Sequence, residues 1–223
     1  MPLKQTTPLL PREERLRHQG KMLDEIMRWK REELPGRQRE MPIATLRAFA
    51  AAASDPLDFA AALRQPGVSL IAEVKRASPS RGLLCRDFDP ARLAQVYLQG
   101  GAAAISVLTD ARFFQGQLEH LTTVKETVAE AREDRERRER EERRERRERE
   151  ERRETRGRQS STSTIYQSTR RSDAPVLRKD FIFDPYQVVE ARVAGADALL
   201  LIVAVLGDNE LKRLLAETRS YGM

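Results

Sequence analysis

Among 223 residues there are one cysteine, two histidines and one tryptophan. With Cys85 alone no disulfide can form within the chain, and a reducing compartment suits that usage best. His18 and His120 are too few for a His-rich zinc site, and they argue against a Ser-His-Asp triad. No apolar run reaches the roughly 18 residues that a membrane-crossing helix needs. No charged-then-apolar leader opens the chain. The expectation is a soluble, cytoplasmic protein without a membrane partner. Charge of one sign is scarce as well: 41 Lys and Arg stand against 35 Asp and Glu, leaving +6 and a pI of about 9.8. Such a surplus suits nucleic acid only when it is gathered on one surface. Here many of the charges lie in a single run of mixed sign.

The length allows one large domain or two small ones. Residues 1–12 carry Pro2, Pro8 and Pro11 and are expected to be a loose arm. Leu16, Leu23, Ile26, Met27 and Leu34 then recur at helical spacing, predicting a helix over 12–34 that Pro35-Gly36 stops. Two short helices are expected over 45–53 and 56–63, the second introduced by Ser54-Asp55-Pro56. This extension shows no chemistry of its own.

Past the break at Gln65-Pro66-Gly67, strands and helices alternate. Residues 70–74 read as a strand. Asp89 as N-cap and Pro90 at the first position open a helix with Leu93, Val96 and Tyr97 on its buried side, ended by Gly100-Gly101. Residues 102–108 read as a second strand, and Leu118, Leu121 and Val124 begin the next helix. Residues 175–181 form a third strand, Asp184-Pro185 opens a helix that Gly195-Ala196 closes, and 198–206 form a fourth strand before a helix over 208–220. The phrase of Asp-Pro, helix, glycine and apolar strand occurs twice, at 89–108 and 184–206. Such alternation predicts right-handed βαβ units on a parallel sheet. Four strand–helix units make half of a (β/α)8 barrel, or a small open sheet.

From 132 to 154 every residue is charged, nearly all Arg and Glu. Glu136–Arg140, Glu139–Arg143, Glu142–Arg146, Glu145–Arg149 and Glu148–Arg152 have the favourable i,i+4 order, each adding roughly 0.2–0.5 kcal/mol to a helix. With no apolar stripe there is no coiled-coil seam. A solvated single helix is expected, then a disordered Ser/Thr-rich return over 157–173. Each arginine has neighbouring glutamates that would repel phosphates, so nucleic acid is not the expected partner.

The stretch Ser69-Leu70-Ile71-Ala72-Glu73-Val74-Lys75 puts Ile71, Glu73 and Lys75 on one face and Leu70, Ala72 and Val74 on the other. Buried charges there would be costly unless paired or used. The turn formers Ala77-Ser78-Pro79-Ser80-Arg81-Gly82 follow, as in many α/β sites. On composition alone the stretch is either a site or a surface strand whose end reaches water.

These residues have a family likeness. Ile71-Ala72-Glu73-Val74-Lys75-Arg76-Ala77-Ser78-Pro79-Ser80 resembles the signature of the indole-3-glycerol phosphate synthases, (β/α)8 barrels of tryptophan synthesis. The resemblance runs on through Asp87-Phe88-Asp89-Pro90, Ile105-Ser106-Val107-Leu108-Thr109-Asp110, Phe113-Phe114-Gln115-Gly116, Pro175-Val176-Leu177-Arg178-Lys179-Asp180-Phe181, Leu200-Leu201-Ile202-Val203 and Arg219-Ser220-Tyr221-Gly222-Met223. It implies a carboxy-lyase that closes, decarboxylates and dehydrates 1-(2-carboxyphenylamino)-1-deoxyribulose 5-phosphate, with no metal or organic cofactor. By position, Lys179 matches the family's principal catalytic lysine, Lys75 a substrate-contacting lysine and second proton donor, and Glu73 the glutamate that sets their protonation. Ser78 and Ser80 match the loop beside the substrate, and Phe114, Phe181, Leu200 and Ile202 the apolar wall around the anthranilate ring.

The family's remaining site residues, a glutamate, an asparagine, a serine and the glycine-rich phosphate turns on strands five to eight, have no counterpart in these residues. The expectation is therefore a barrel with only its first four βα units, inactive by itself. The expected organisation is an arm and helical extension over 1–66, two βα units over 67–125, an inserted charged helix and linker over 126–173, and two further units over 174–223. A fragment or misread frame is the favoured origin. The alternatives are a half-barrel completed by a partner half or by self-association, and a non-catalytic scaffold working through its Arg/Glu helix.

Overall fold

The structure, a computed structural model, describes the backbone over residues 12–154 and 173–223 and the side chains over 20–151 and 173–223. The expected arm, apart from Arg12, and the expected linker, apart from Asp173, lie outside the described residues. In chain order the elements are α1 (Arg12–Glu40), α2 (Ile43–Ala52), α3 (Phe59–Leu63), β1 (Ile71–Val74), β2 (Ala77–Ser78), β3 (Gly82–Leu83), α4 (Pro90–Gln99) and β4 (Ala104–Leu108). They continue with α5 (Ala111–Phe114), α6 (Leu118–Glu154), β5 (Val176–Lys179), α7 (Pro185–Val193), β6 (Ala198–Leu199), a 3-10 turn (Val203–Val205) and α8 (Asp208–Ser220).

Four strands form one parallel sheet in the order β1-β4-β5-β6, so each connection carries the chain to the next strand through a helix. The pair β2 and β3 is a two-residue antiparallel ribbon. In register, Glu73 stands beside Ser106 and that beside Leu177, while Leu108 stands beside Lys179. Strand residues alternate between faces, so Glu73, Ser106, Leu108, Leu177 and Lys179 share one face. The other face brings Val74, Ile105, Val107 and Val176 into a core with Ala94 and Leu98 of α4, Leu121, Val124 and Val128 of α6, and Ala191 and Ala194 around α7. Burying each such Val or Leu side chain is worth about 1.5–3 kcal/mol.

Local chemistry starts the crossover helices as expected. Asp89 accepts the Arg92 N–H at 3.1 Å with Pro90 at the first helical position. Asp184 accepts from Tyr186, and Gln187 reaches back to the Asp184 N–H at 3.1 Å, closing a capping box.

Several expected boundaries need correction. Pro35 does not stop the first helix, which runs on to Glu40. A proline forfeits one backbone bond inside a helix, but packing holds the next turns. Leu34 is buried against Tyr186 and Val189, the Tyr186 hydroxyl donates to the Arg37 and Met41 carbonyls at 2.9 and 3.0 Å, and Arg37 pairs with Glu190. The third helix starts at Phe59 rather than 56, because the N-cap is Asp58, accepting from the Ala61 N–H at 2.8 Å. On α4 Leu93 and Tyr97 pack against the core as expected, beside the buried Ala94 and Leu98, but Val96 is 54% exposed. The fourth strand is the two residues of β6 rather than the whole of 198–206. It pairs with β5 through Ala198 and Leu199 alone, and beyond it the backbone turns into a 3-10 segment.

The charged run is not a separate helix. It continues α6 without a break, 37 residues in all, and Val128 beyond the expected boundary at 126 is still core. From Ala129 to Glu151 the side chains are mostly exposed, and these residues extend the helix roughly 35 Å beyond Val128. Glu136–Arg140 and Glu145–Arg149 pair as expected, while Arg144–Glu148 and Arg146–Glu150 pair in the opposite order. Arg135 meets Asp173 at 2.8 Å, so the chain returns to β5 at the level where the helix leaves the core.

Asp197, 1% exposed just before β6, ties three parts of this frame together. Its carboxylate accepts from the Leu57 N–H at 2.7 Å, the Val176 N–H at 2.7 Å and the Lys125 ammonium at 2.6 Å. Asp197→Ala would strand two backbone donors, and a loss of about 2–4 kcal/mol is expected. The urea midpoint measures it; an unchanged midpoint would show that water replaces the carboxylate without cost.

Candidate active site

Three side chains on the open face of the sheet meet at one carboxylate. Glu73, on β1, accepts from the Lys179 ammonium at its Oε1 and pairs with the Lys75 ammonium through its Oε2. Lys179 reaches across β4 from the end of β5, so the contact links residues 106 positions apart in sequence. All three side chains are partly accessible, at 27% for Glu73, 29% for Lys75 and 40% for Lys179. The dry surrounding that a buried strand end suggests is therefore not present around these groups in this chain. Burial alone would raise the Glu73 carboxyl, but hydrogen bonds from Lys179 and Lys75 outweigh it and hold the group below its ordinary value. The cluster sets the Glu73 carboxylate between the side-chain nitrogens of Lys75 and Lys179. The arrangement holds two N–H donors against one carboxylate at the ends of β1 and β5. The Tyr97 hydroxyl, from α4, donates to the Glu73 carbonyl at 3.1 Å and fixes the strand beneath it.

The apolar candidates divide. Phe114, closing α5, and Phe181, just past β5, bring their rings to 6.1 Å between centroids at 36°, a tilted contact beside the end of the strand that carries Lys179. Leu200 and Ile202 follow β6, at the opposite edge of the sheet from Glu73, and belong to none of the core clusters of the described residues. Ser78 lies in β2, partly buried, and Ser80 is exposed in the turn to β3; this ribbon packs against α5.

A polar network beneath these residues went unread in the sequence. Arg178, whose side chain is 1% exposed, donates from Nη2 to Asp180 at 2.9 Å, from Nη1 to Glu190 at 2.8 Å and to the Gln187 carbonyl at 2.9 Å, and from Nε to the Thr109 hydroxyl at 3.2 Å. Thr109 in turn donates to Asp180 at 2.7 Å. Burial works against the Asp180 carboxylate, but Arg178 and Lys30 overcome it and hold the group far below the usual range. Lys30, from α1, reaches Asp180 at 3.1 Å and Asp110 at 3.6 Å. The N-terminal extension, expected to have no chemistry of its own, thus inserts a cation among the strand ends. One signal was available: Lys30 stands four residues from both Ile26 and Leu34, on the stripe where an apolar side chain is expected. Among the described residues no group of His, Cys, Asp and Glu could hold a metal ion, and no helix is long and apolar enough to cross a membrane.

Comparison with known proteins gives the family. A family profile described as "Indole-3-glycerol phosphate synthase" matches residues 23–136 and 154–223. The break in the match lies within the charged part of α6 and is narrower than the insertion expected from the sequence. An indole-3-glycerol phosphate synthase of Roseiflexus sp. (strain RS-1) is 46% identical over 203 residues, covering 91% of this chain and 61% of the relative. One from Mycobacteroides abscessus is 41% identical over 92% of this chain and 59% of the relative, and one from Mycobacterium bovis (strain BCG / Pasteur 1173P2) is 40% identical over 91% and 58%. The chain thus spans about three-fifths of the length of the curated relatives it matches. Glu73, Lys75, Lys179 and both phenylalanines all fall inside the matched segments, and the chain belongs to the indole-3-glycerol phosphate synthase family.

Proposed function

We propose that this chain carries the first half of an indole-3-glycerol phosphate synthase site. The carrying observation is that one carboxylate, Glu73, receives the ammonium groups of both Lys75 and Lys179. The reaction joins the carboxyl-bearing ring carbon of the 1-(2-carboxyphenylamino)-1-deoxyribulose 5-phosphate to its ketone carbon. The ketone oxygen takes a proton, the bond to the carboxylate breaks with loss of CO2, and the new hydroxyl takes a second proton and leaves as water while the adjacent nitrogen-bearing carbon gives up a proton to form the ring double bond. An ammonium group is a competent acid for the first proton transfer when a neighbouring carboxylate orients it. In this reading Lys179 protonates the ketone oxygen, Lys75 contacts the substrate and donates in the later step, and Glu73 orients both lysines. Phe114 and Phe181 stack against the anthranilate ring, with Leu200 and Ile202 closing the wall and Ser78 and Ser80 beside the substrate. The chemistry calls for no metal or organic cofactor.

The family fold is a (β/α)8 barrel, and barrel sites draw on the ends of most strands, with phosphate commonly held after strands seven and eight. The organisation proposed here is the helical extension over 1–66, two βα units over 67–125, a charged continuation of α6 with its linker over 126–173, and two units over 174–223. On this reading residues 1–223 alone show little or no turnover, and a complementing C-terminal half-barrel, or self-association, supplies the other strand ends. Two assays test it. The purified 223-residue chain is expected to leave the substrate unchanged, and turnover at ordinary enzyme rates would sink the half-site reading. Joined to the C-terminal two-fifths of the Roseiflexus relative, it is expected to turn over, and Lys179→Ala in that fusion to lose about 10²–10⁴-fold in kcat. A folded, active fusion indifferent to Lys179→Ala would remove the lysine from its assigned role.

A further inference from the structure

The N-terminal helix α1 places one side chain among the strand ends. Lys30 is 2% exposed, and its ammonium lies 3.1 Å from Asp180 Oδ1, 3.6 Å from Asp110 Oδ2 and 3.8 Å from Glu33 Oε2. Both aspartates are fully buried. Each stands at a junction that delivers a site residue. Asp180 directly follows Lys179, and its Oδ1 also accepts the Phe181 N–H at 2.8 Å. Asp110 follows β4, and its Oδ1 caps α5 by accepting the Phe113 N–H at 2.7 Å, one residue before Phe114. Asp110 Oδ2 has no hydrogen-bond partner, so Lys30 is the cation that offsets its charge. A second contact joins the same two helices: the Arg112 guanidinium of α5 lies 3.8 Å from the centroid of the Trp29 ring of α1.

We propose that Lys30 is a positioning residue for the site, a cation from the N-terminal helix that holds the ends of β4 and β5 together and thereby sets Lys179 against Glu73. The physical argument is one of charge. Two buried carboxylates at neighbouring strand ends repel, and Arg178 serves only one of them, Asp180. Burial already pushes the Asp110 carboxyl up, against the Phe113 N–H and Lys30, which pull it down. Without Lys30, Asp110 must take up a proton or move away from Asp180, and either change is felt one residue from Lys179 and four residues from Phe114. A plain anchor for α1 would need no such placement; an apolar residue at position 30, continuing the stripe of Ile26 and Leu34, would serve better.

The role given to Lys179 rests on the proposed function, but the test needs no turnover. It follows the Glu73 carboxyl by 13C NMR titration in the 223-residue chain, so a failed synthase assay and a failed titration are separate results. In Lys30→Met the Glu73 titration is expected to move up toward its ordinary value near 4.5, because Lys179 no longer donates to it. In Lys30→Arg, which keeps the cation, it is expected to stay near the parent. A folded Lys30→Met chain whose Glu73 titrates as in the parent overturns the proposal and leaves Lys30 a simple anchor. If Lys30→Met does not fold, Lys30→Gln, which keeps a polar donor at position 30 but no charge and leaves both carboxylates in place, carries the same measurement. An unshifted Glu73 there overturns it equally.

Discussion

Arg178→Met is expected to cost the folded chain about 3–5 kcal/mol, a large part of the 5–15 kcal/mol that stabilises a typical domain. Arg178 is the hub beneath the sheet. Its guanidinium serves Asp180, Glu190, Thr109 and the Gln187 carbonyl at 2.8–3.2 Å, with 1% of the side chain exposed. Methionine fills much of the space but donates nothing, so two buried carboxylates lose a partner at once. Lys30 still reaches Asp180 and Arg37 still pairs with Glu190, which keeps the loss at the lower figures rather than beyond them. The pH dependence has a definite sign. The folded Asp180 carboxyl is depressed below its ordinary 3.8, so its contribution is complete above that pH and is lost as pH falls through the folded value. In Arg178→Met the folded value rises, the contribution shrinks, and the acid-side slope of the urea midpoint flattens. A loss under about 1 kcal/mol would mean that Lys30 and Arg37 take over the hub.

The parts of this fold legible in the sequence are those set by neighbours along the chain. Asp89-Pro90 and Asp184-Pro185 start helices because side-chain oxygen and fixed φ act within three residues, and both caps form. The face alternation of Glu73 and Lys75 against Ala72 and Val74 holds for the same reason: it needs only the pleat. What escaped reading depends on distant partners. Pro35 looks like a stop until Tyr186, some 150 positions away, bonds the carbonyls of Arg37 and Met41. Residues 198–206 look like a strand from their apolar content, yet only Ala198 and Leu199 find a partner in β5. In the site, the family resemblance named Glu73, Lys75 and Lys179, and the geometry joins them. It gave no role to Lys30, Arg178 or Asp180, whose pairing is decided by how α1, β5 and α7 meet.

Gly116→Ala is the other substitution with a large expected effect, and here backbone rather than charge decides. Gln115 ends α5 in the left-handed region at φ 51°, and the Gly116 N–H donates to the Asp110 carbonyl at 2.8 Å, closing the turn onto the end of β4. A Cβ at 116 would sit 2.2 Å from the Leu108 carbonyl oxygen, 2.7 Å from its carbon and 3.0 Å from the Thr109 Cα. Those atoms are backbone at the end of β4 and the residue after it, the strand to which Lys179 is registered through Leu108, and they cannot step aside as a side-chain tip can. The turn must move instead, carrying Phe114 away from Phe181. The expected cost is about 3 kcal/mol or more, at or above the upper end for overpacking. Gly36→Ala supplies the control, because Gly36 lies inside α1 with nothing within 4 Å of its added Cβ. It is expected to raise stability by about 0.5–1 kcal/mol, as alanine does in a helix. Thermal unfolding of the two variants beside the parent reads both signs in one experiment. Equal midpoints for Gly116→Ala and the parent would show that the α5 turn is not seated on β4 in this way.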